Sequence, residues 1–125
     1  MKGAARLFFT LAILYFLAGI IVGLHMAISG EHKQIVAHAH IMLAGWVSSA
    51  LFALFYHAFP AISASGLARI QFWIQAVGGV VMTVSLLFLY GGMPSAEPGA
   101  AIGSLVFAAG VLLFAYISLK EVWKS

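Results

Sequence analysis

The chain has 125 residues, of which 64% are hydrophobic and only 7% are charged. A water-soluble domain carries roughly 25% charged residues, so this chain cannot coat a water-facing surface with charge. The absence of cysteine excludes a disulfide framework, a thiolate metal site and an iron–sulfur cluster. The six Lys and Arg residues are scattered among hydrophobic runs and make no basic patch for nucleic acid. Composition therefore predicts an integral membrane protein in contact with the lipid bilayer.

Four apolar runs are long enough to cross the hydrocarbon core of a bilayer, which takes about 20 residues in a helix. They cover residues 7–29, 35–59, 67–90 and 99–119, and polar or turn-forming residues separate them. The runs are continuous and lack the alternating pattern of a membrane β-strand. The first run is also longer than the apolar region of a signal peptide, which favours a retained helix. The sequence predicts an all-α membrane four-helix bundle, with residues 1–125 as one domain.

The positions of Lys and Arg predict the orientation of the helices. Lys33 falls on one side of the membrane, and the other five basic residues share the side of the two termini: Lys2, Arg6, Arg69, Lys120 and Lys124. By the positive-inside rule, both termini face the cytoplasm and the protein lies in the inner (cytoplasmic) membrane. The loops at residues 31–34 and 91–98 then face the outer, periplasmic side.

Glycines recur at a spacing that is typical of packed membrane helices. Gly19 and Gly23 form one G-x-x-x-G pair in the first run, and Gly99 and Gly103 form another in the fourth. Such pairs let two helix backbones approach closely. They predict close helix contacts, either in a compact bundle or in an assembly of several copies.

The histidines are the unusual feature of the sequence. His57 lies at the inner end of the second run, and four others lie toward the outer face: His25, His32, His38 and His40. An ionisable side chain inside a membrane span is costly and indicates a functional site. In a regular helix, His38 and His40 point about 200° apart. We therefore expect them to serve two sites, one on each flank of the helix, rather than to chelate one ion.

The residues that follow this pair favour a flat, apolar cofactor. Helical phase places Met42 and Gly45 on the flank of His38, and Gly45 is predicted to leave room for a flat ligand. Trp46 adds a bulky apolar side chain. An imidazole at the mouth of a low-dielectric pocket suits haem, whose iron takes neutral imidazole as an axial ligand. The predicted cofactor-binding residues are His38, His40, Met42, Gly45 and Trp46, and the predicted cofactor is haem b.

Two alternatives stay open on the residues alone. Copper and zinc also accept imidazole, and His25 is the third candidate metal ligand beside the histidine pair. His32 and Met26 would add donors, and the chain would then handle metal rather than carry electrons. In the other alternative, the chain is an accessory membrane subunit whose histidines serve packing and interfacial hydrogen bonds.

Residues 36–43 read V-A-H-A-H-I-M-L, Gly45 and Trp46 follow, and Phe59 and Pro60 end the run. This stretch resembles the tenth helix of subunit I of the haem-copper oxidases, where V-A-H-x-H-x-x-L recurs and G-W follows the histidines in the C-type enzymes. The resemblance covers about 25 residues, or a fifth of the chain. It implies that His38 is the axial ligand of a high-spin haem and His40 a ligand of a low-spin haem.

The chain also departs from that family. The catalytic copper of the family needs a His-His pair and a further histidine on other helices. This sequence has no His-His pair and no histidine in its third and fourth runs, and the family's cross-linked tyrosine has no counterpart. Reduction of oxygen or nitric oxide is therefore not expected, and no feature of the sequence supports another enzymatic activity.

The family's subunit I has twelve helices in three arcs of four, and its tenth helix is the second helix of the third arc. Here the motif lies on the second of four runs, so the chain resembles one arc. Three copies would rebuild the ring by cyclic closure. The resemblance thus implies a homotrimer in which His40 of one copy and His38 of a neighbour bind one haem. Electron transfer or haem-linked redox sensing would be its role.

Overall fold

The structure is a computed structural model that describes residues 1–124, and helices make up almost all of it. Four helices are long and apolar enough to cross a membrane: α1 (Gly3–Ser29), α2 (Ile35–Ala58), α3 (Gly66–Tyr90) and α4 (Glu97–Val122). The predicted all-α membrane four-helix bundle is confirmed. A helical turn, Pro60–Ser63, joins α2 to α3, and a 3₁₀ turn, Pro94–Ala96, precedes α4. Because the number of spans is even, both termini lie at the same end of the bundle.

The helix ends differ from the predicted ones for local reasons. α1 starts at Gly3, before the predicted residue 7, and ends at the predicted residue 29, where Gly30 adopts the left-handed conformation of a helix C-cap, with φ 73°. α2 ends at Ala58 rather than at residue 59, because the residue before Pro60 is pushed out of the helical region. α4 starts before residue 99, since a proline fits the first helical turn, where its missing N–H has no partner to lose. Counting only apolar residues misses these polar helix ends.

α2 contains a π-helical segment, Ile41–Val47, which starts directly after His40. The hydroxyl of Ser48 donates a second hydrogen bond, at 2.8 Å, to the carbonyl of Leu43 within this segment, which also accepts the backbone N–H of Ser48. Because a π turn takes in more residues than an α turn, everything beyond the segment is rotated relative to a regular helix. His38 and His40 precede it, so their relative direction remains that of an α-helix.

The G-x-x-x-G pairs pack the helices in two close pairs. In α1, Gly19 lies against Met42 of α2, and Gly23 lies against His38. In α4, Gly103 lies so close to α3 that a methyl group there would run into the backbone of Met82. The close helix contacts expected from the glycine spacing are therefore present, between α1 and α2 and between α3 and α4, and both pairs form within one chain.

An aromatic core fills the half of the bundle nearest the termini. Phe8 of α1 is fully buried, with ring centroids 5.1 Å from Phe52 of α2 and 4.9 Å from Phe72 of α3. Phe114 of α4 lies 4.4 Å from Phe52 by the same measure. These distances are typical of edge-to-face and tilted aromatic pairs. Such pairs stabilise a core by more than the burial of their apolar surface alone. All four helices meet at this cluster.

A polar ladder crosses the same half of the bundle. The Tyr56 hydroxyl donates to Gln71 Oε1 at 3.0 Å, and Gln71 Nε2 donates to Gln75 Oε1 at 3.0 Å. The two amides also donate to backbone carbonyls of α4, those of Gly110 and Phe107, each at 3.3 Å. Tyr56 and Gln71 are completely buried. In lipid such groups must be satisfied inside the protein, so this ladder ties α2, α3 and α4 together.

Replacing Gln71 with leucine should destabilise the bundle by about 1–2 kcal/mol, because Tyr56 loses its acceptor and Gln75 loses a donor inside the membrane. Unfolding by SDS titration from mild detergent, followed by far-UV circular dichroism, measures the change. Ser104→Ala is the matched control, since that hydroxyl is exposed and bonds only to the Ala100 carbonyl of its own helix. Equal stability of Gln71→Leu and wild type would contradict a structural role for the ladder.

Replacing Gly103 with alanine should force α3 and α4 apart, because the new methyl group meets backbone atoms that cannot turn away. We expect a loss of about 2 kcal/mol or more in the same SDS titration. Gly66→Ala is the control, because nothing lies within 4 Å of the place its methyl group would take. If both alanine variants unfolded alike, the close α3–α4 contact would be wrong.

Candidate functional site

His38 lies on the flank of α2 that faces α1. A methyl group on Gly23 would stand 3.0 Å from His38 Cε1, so the imidazole edge fills the space that this glycine leaves. The side chain is partly buried, and its Nδ1 is buried without a hydrogen-bond partner in residues 1–124. Buried polar atoms are nearly always paired, and the exceptions call for an explanation such as a bound ligand. Nothing in the described part of the chain fixes which nitrogen of this ring carries the proton.

His40 is held in a different way. Its Nδ1 lies 2.8 Å from the backbone carbonyl of Val36, one turn earlier in α2. A carbonyl oxygen only accepts, so Nδ1 carries the proton and donates it. In the neutral ring, Nε2 then holds the lone pair that binds a metal, and the hydrogen bond orients the ring as the outer partners of metal-ligating histidines do. His40 remains partly exposed on the surface of α2.

The other three predicted cofactor-binding residues pack α2 onto α1. Met42 lies against Gly19, and the Trp46 ring stacks on Phe16 with centroids 4.6 Å apart at 18°. The expectation that Gly45 leaves room for a flat ligand is wrong within one chain, because the ring of Tyr15 fills that space. The prediction considered α2 alone and could not see which side chain of α1 would face the glycine.

The remaining histidines lie apart from this pair. His25 is exposed at the end of α1 and lines a cavity of about 280 Å³ with residues of the loop and of the α3 end. His32 Nδ1 lies 3.0 Å from the Gly30 carbonyl, and His57 is exposed near the opposite end of the bundle. Among residues 1–124, no three His, Asp or Glu side chains come together as a metal site would require. The structure therefore does not assemble the four outer histidines around one ion.

Two further residues position the pair, and the pattern of apolar residues did not identify them. Tyr15 reaches across from α1 with its ring on Gly45 and its hydroxyl near Gly79 of α3. Gln34 precedes α2, and its Nε2 donates to the Leu87 carbonyl at 2.9 Å, which ties the start of α2 to the end of α3. Each is a polar side chain in or next to an apolar run, which is the signal that points to them.

Neither His38 nor His40 lines the cavity beside His25, the one beside His57, or the three whose walls include Tyr15, Tyr116 and Arg69. A haem is far larger than the gap left by Gly23. The arrangement therefore offers two imidazoles on different flanks of one helix, neither of them in the wall of one of these cavities. The chain can contribute one imidazole ligand on each flank of α2. A complete haem site around either imidazole requires a second protein surface.

Comparison with known proteins finds a similar sequence, the cytochrome c oxidase polypeptide 1 of Halobacterium salinarum. The two are 27% identical over 131 aligned positions, which cover 87% of this chain and 22% of that polypeptide. The chain resembles haem-copper oxidase subunit I. The resemblance seen in the H-x-H helix is thus confirmed and extends over most of the chain, which spans about a fifth of the length of this curated relative. No family model and no solved structure matches the chain.

The hydrogen bond from His40 to Val36 predicts the protonation state of this ring. In protein labelled with ¹⁵N-histidine and held at mildly alkaline pH, where the ring is neutral, His40 should show a protonated Nδ1 and an unprotonated Nε2. NMR of the protein in detergent micelles measures this, and His40→Ala assigns the signal. His25, which has no such carbonyl contact among the described hydrogen bonds, is the internal comparison. A protonated Nε2 on His40 would contradict the assignment.

Proposed function

We propose that this chain is a membrane-embedded b-type haem protein that transfers electrons, with His40 and His38 as iron ligands. The observation that carries the proposal is the His40 hydrogen bond, which leaves Nε2 of a membrane-embedded imidazole as a free, oriented donor. The match to cytochrome c oxidase polypeptide 1 supports it. When bound, haem supplies a one-electron redox centre. Ligation by two imidazoles leaves no open position on the iron, which favours electron transfer over gas chemistry.

The chain's own residues account for how the ligands would be held. The Val36 carbonyl keeps the proton of His40 on Nδ1, so the ring needs no change of tautomer to bind. Gly23 lets the His38 ring sit within the α1–α2 contact, where Nδ1 is buried without a partner in residues 1–124 and the rest of the ring is partly exposed. Met42 and Trp46 contribute by fixing α2 on α1, rather than by touching the cofactor.

We further propose that the haem lies between copies of the chain in a homotrimer. Two observations support this. His38 and His40 belong to different flanks of α2, so one copy cannot place both on one iron. The chain also matches about a fifth of a subunit-I polypeptide and carries the H-x-H motif on the second of its four helices, as one arc of that subunit would. Three copies, related by cyclic symmetry, would supply three equivalent sites.

The charge distribution supports a location in the cytoplasmic membrane with the termini inside. With both termini at one end of the bundle, the positive-inside rule places Arg6 and Arg69 on the cytoplasmic side and the histidine pair on the periplasmic side. The proposed haem would then exchange electrons with a partner on the outer face. Copper or zinc has less support, because no three ligating side chains converge within residues 1–124.

Protein purified from cells supplied with haem precursor should show a Soret band that shifts on dithionite reduction. His38→Ala and His40→Ala should each lower the haem-to-chain ratio at least about tenfold, since each removes one of two iron ligands. His25→Ala and His57→Ala are matched controls in the same chain and should keep the wild-type ratio. The detergent-corrected mass of the wild type should be that of three chains.

Each alternative function predicts a different result in these measurements. Colourless wild-type protein with stoichiometric copper or zinc would replace haem with the metal-handling function. Protein with neither haem nor metal, unchanged by either histidine variant, would point to an accessory subunit. A haem-loaded monomer would refute the shared site while leaving haem binding in place.

A further inference from the structure

A basic crevice opens between the starts of α1 and α3, at the end of the bundle that holds both termini. Its volume is about 300 Å³, and it is lined by Gly3, Arg6, Leu7, Arg69 and Trp73. The two arginines come from different helices and converge on one opening. This crevice has no part in the histidine site, which lies toward the other end of the bundle.

The charge of this crevice is not neutralised by an acidic side chain of the described structure. Neither Arg6 nor Arg69 forms an ion pair within residues 1–124. The chain has only three acidic residues: Glu31 pairs with Lys33 at 3.3 Å, and Glu97 starts α4 at the other end of the membrane. The third, Glu121, pairs with Lys124 at 3.8 Å. No side-chain carboxylate is left to meet the two arginines.

The lysines at the same end differ from the arginines in this respect. Lys124 has Glu121 as its partner, and the Lys120 ammonium lies 5.6 Å from the centre of the Tyr116 ring, within cation–π range. These two lysines line another crevice, between α4 and the α2–α3 connection. Besides Lys2, the end of the bundle therefore carries two pairs of basic residues: Lys120 and Lys124, which have partners in the chain, and Arg6 and Arg69, which form no ion pair within residues 1–124.

The walls of the arginine crevice change from charged to apolar along α3. Trp73 follows Arg69 by one helical turn on the same face of α3 and is 56% exposed. Leu7 follows Arg6 on α1. Indole side chains sit at the level of lipid headgroups, with the apolar body toward the hydrocarbon. A ligand that fits this crevice has an anionic head at the arginines and an apolar tail along Leu7 and Trp73.

We propose that Arg6 and Arg69 bind the phosphate of an anionic phospholipid at this crevice. The guanidinium group presents its donors in a planar fork that matches phosphate oxygens, and two such groups from different helices hold one headgroup between them. A zwitterionic lipid brings its own cation against the two arginines, so lipids with net negative charge are selected. Bound there, the lipid bridges α1 and α3. The proposal does not depend on haem.

Native mass spectrometry of the detergent-solubilised full chain tests this with phosphatidylglycerol and phosphatidylcholine as probes. The wild type should retain phosphatidylglycerol in preference to phosphatidylcholine. Arg6→Gln combined with Arg69→Gln should weaken retention about thirtyfold, which is about 2 kcal/mol for two basic residues near a membrane surface. Lys120→Gln combined with Lys124→Gln makes the same change in charge at the same end and should leave retention within about twofold of wild type.

Further measurements distinguish a lipid site from a simple anion site and from an effect of net charge alone. An excess of inorganic phosphate should not displace the lipid, because free phosphate gains nothing from Leu7 and Trp73; displacement would overturn the proposal in favour of a simple anion site. Equal weakening in the arginine and lysine variants would overturn it in favour of net charge alone. If the glutamine variant loses its helical circular dichroism, Arg6→Lys with Arg69→Lys keeps the charge and should weaken retention several-fold; unchanged retention would refute recognition by the guanidinium forks.

Discussion

The contact between α1 and α2 determines the placement of nearly every other group of interest. Lipid surrounds both helices, so apolar side chains gain little by leaving it, and close van der Waals packing must hold the pair together. Three glycines make that packing possible: Gly19 receives Met42, Gly23 receives His38, and Gly45 receives the ring of Tyr15. Because the small residues lie on both helices, the side chains interlock and α2 cannot rotate about its axis. His38 is therefore turned toward α1, and His40 is left on the surface.

The bundle is held by different means at its two ends. Near the termini, the aromatic cluster around Phe8 and the ladder from Tyr56 through Gln71 join α2 to α3 and α4, and the polar groups of that ladder satisfy one another. Near the histidines, the hydrogen bond from Gln34 to the Leu87 carbonyl ties α2 to α3, a smaller apolar cluster of Ala37, Met82, Leu86 and Ala100 joins α2, α3 and α4, and α2 contains the π segment. The larger apolar core and the polar ladder thus lie away from the histidine pair, and the irregular backbone and the partnerless His38 Nδ1 lie at the other end.

Sequence patterns predicted those features that depend on one helix at a time. Run length identified four spans, G-x-x-x-G spacing identified the close contacts, and the two-residue separation placed the histidines on different flanks. Features that depend on two helices were missed. Gly45 looked like an opening because the residue that fills it, Tyr15, is thirty positions earlier. The π segment was also missed, since its residues have the composition of any apolar helix.

The two histidines are prepared for a ligand in complementary and incomplete ways. His40 has the right tautomer and orientation, but it lies on a surface that its own chain does not enclose. His38 is enclosed by α1, but no group in residues 1–124 fixes its proton. Each histidine lacks the feature that the other has, and one helix cannot bring both imidazoles to one iron. In the proposed trimer, a neighbouring copy would cover His40 and bring up the part of its own His38 ring that α1 leaves exposed, so each chain would supply what the other lacks.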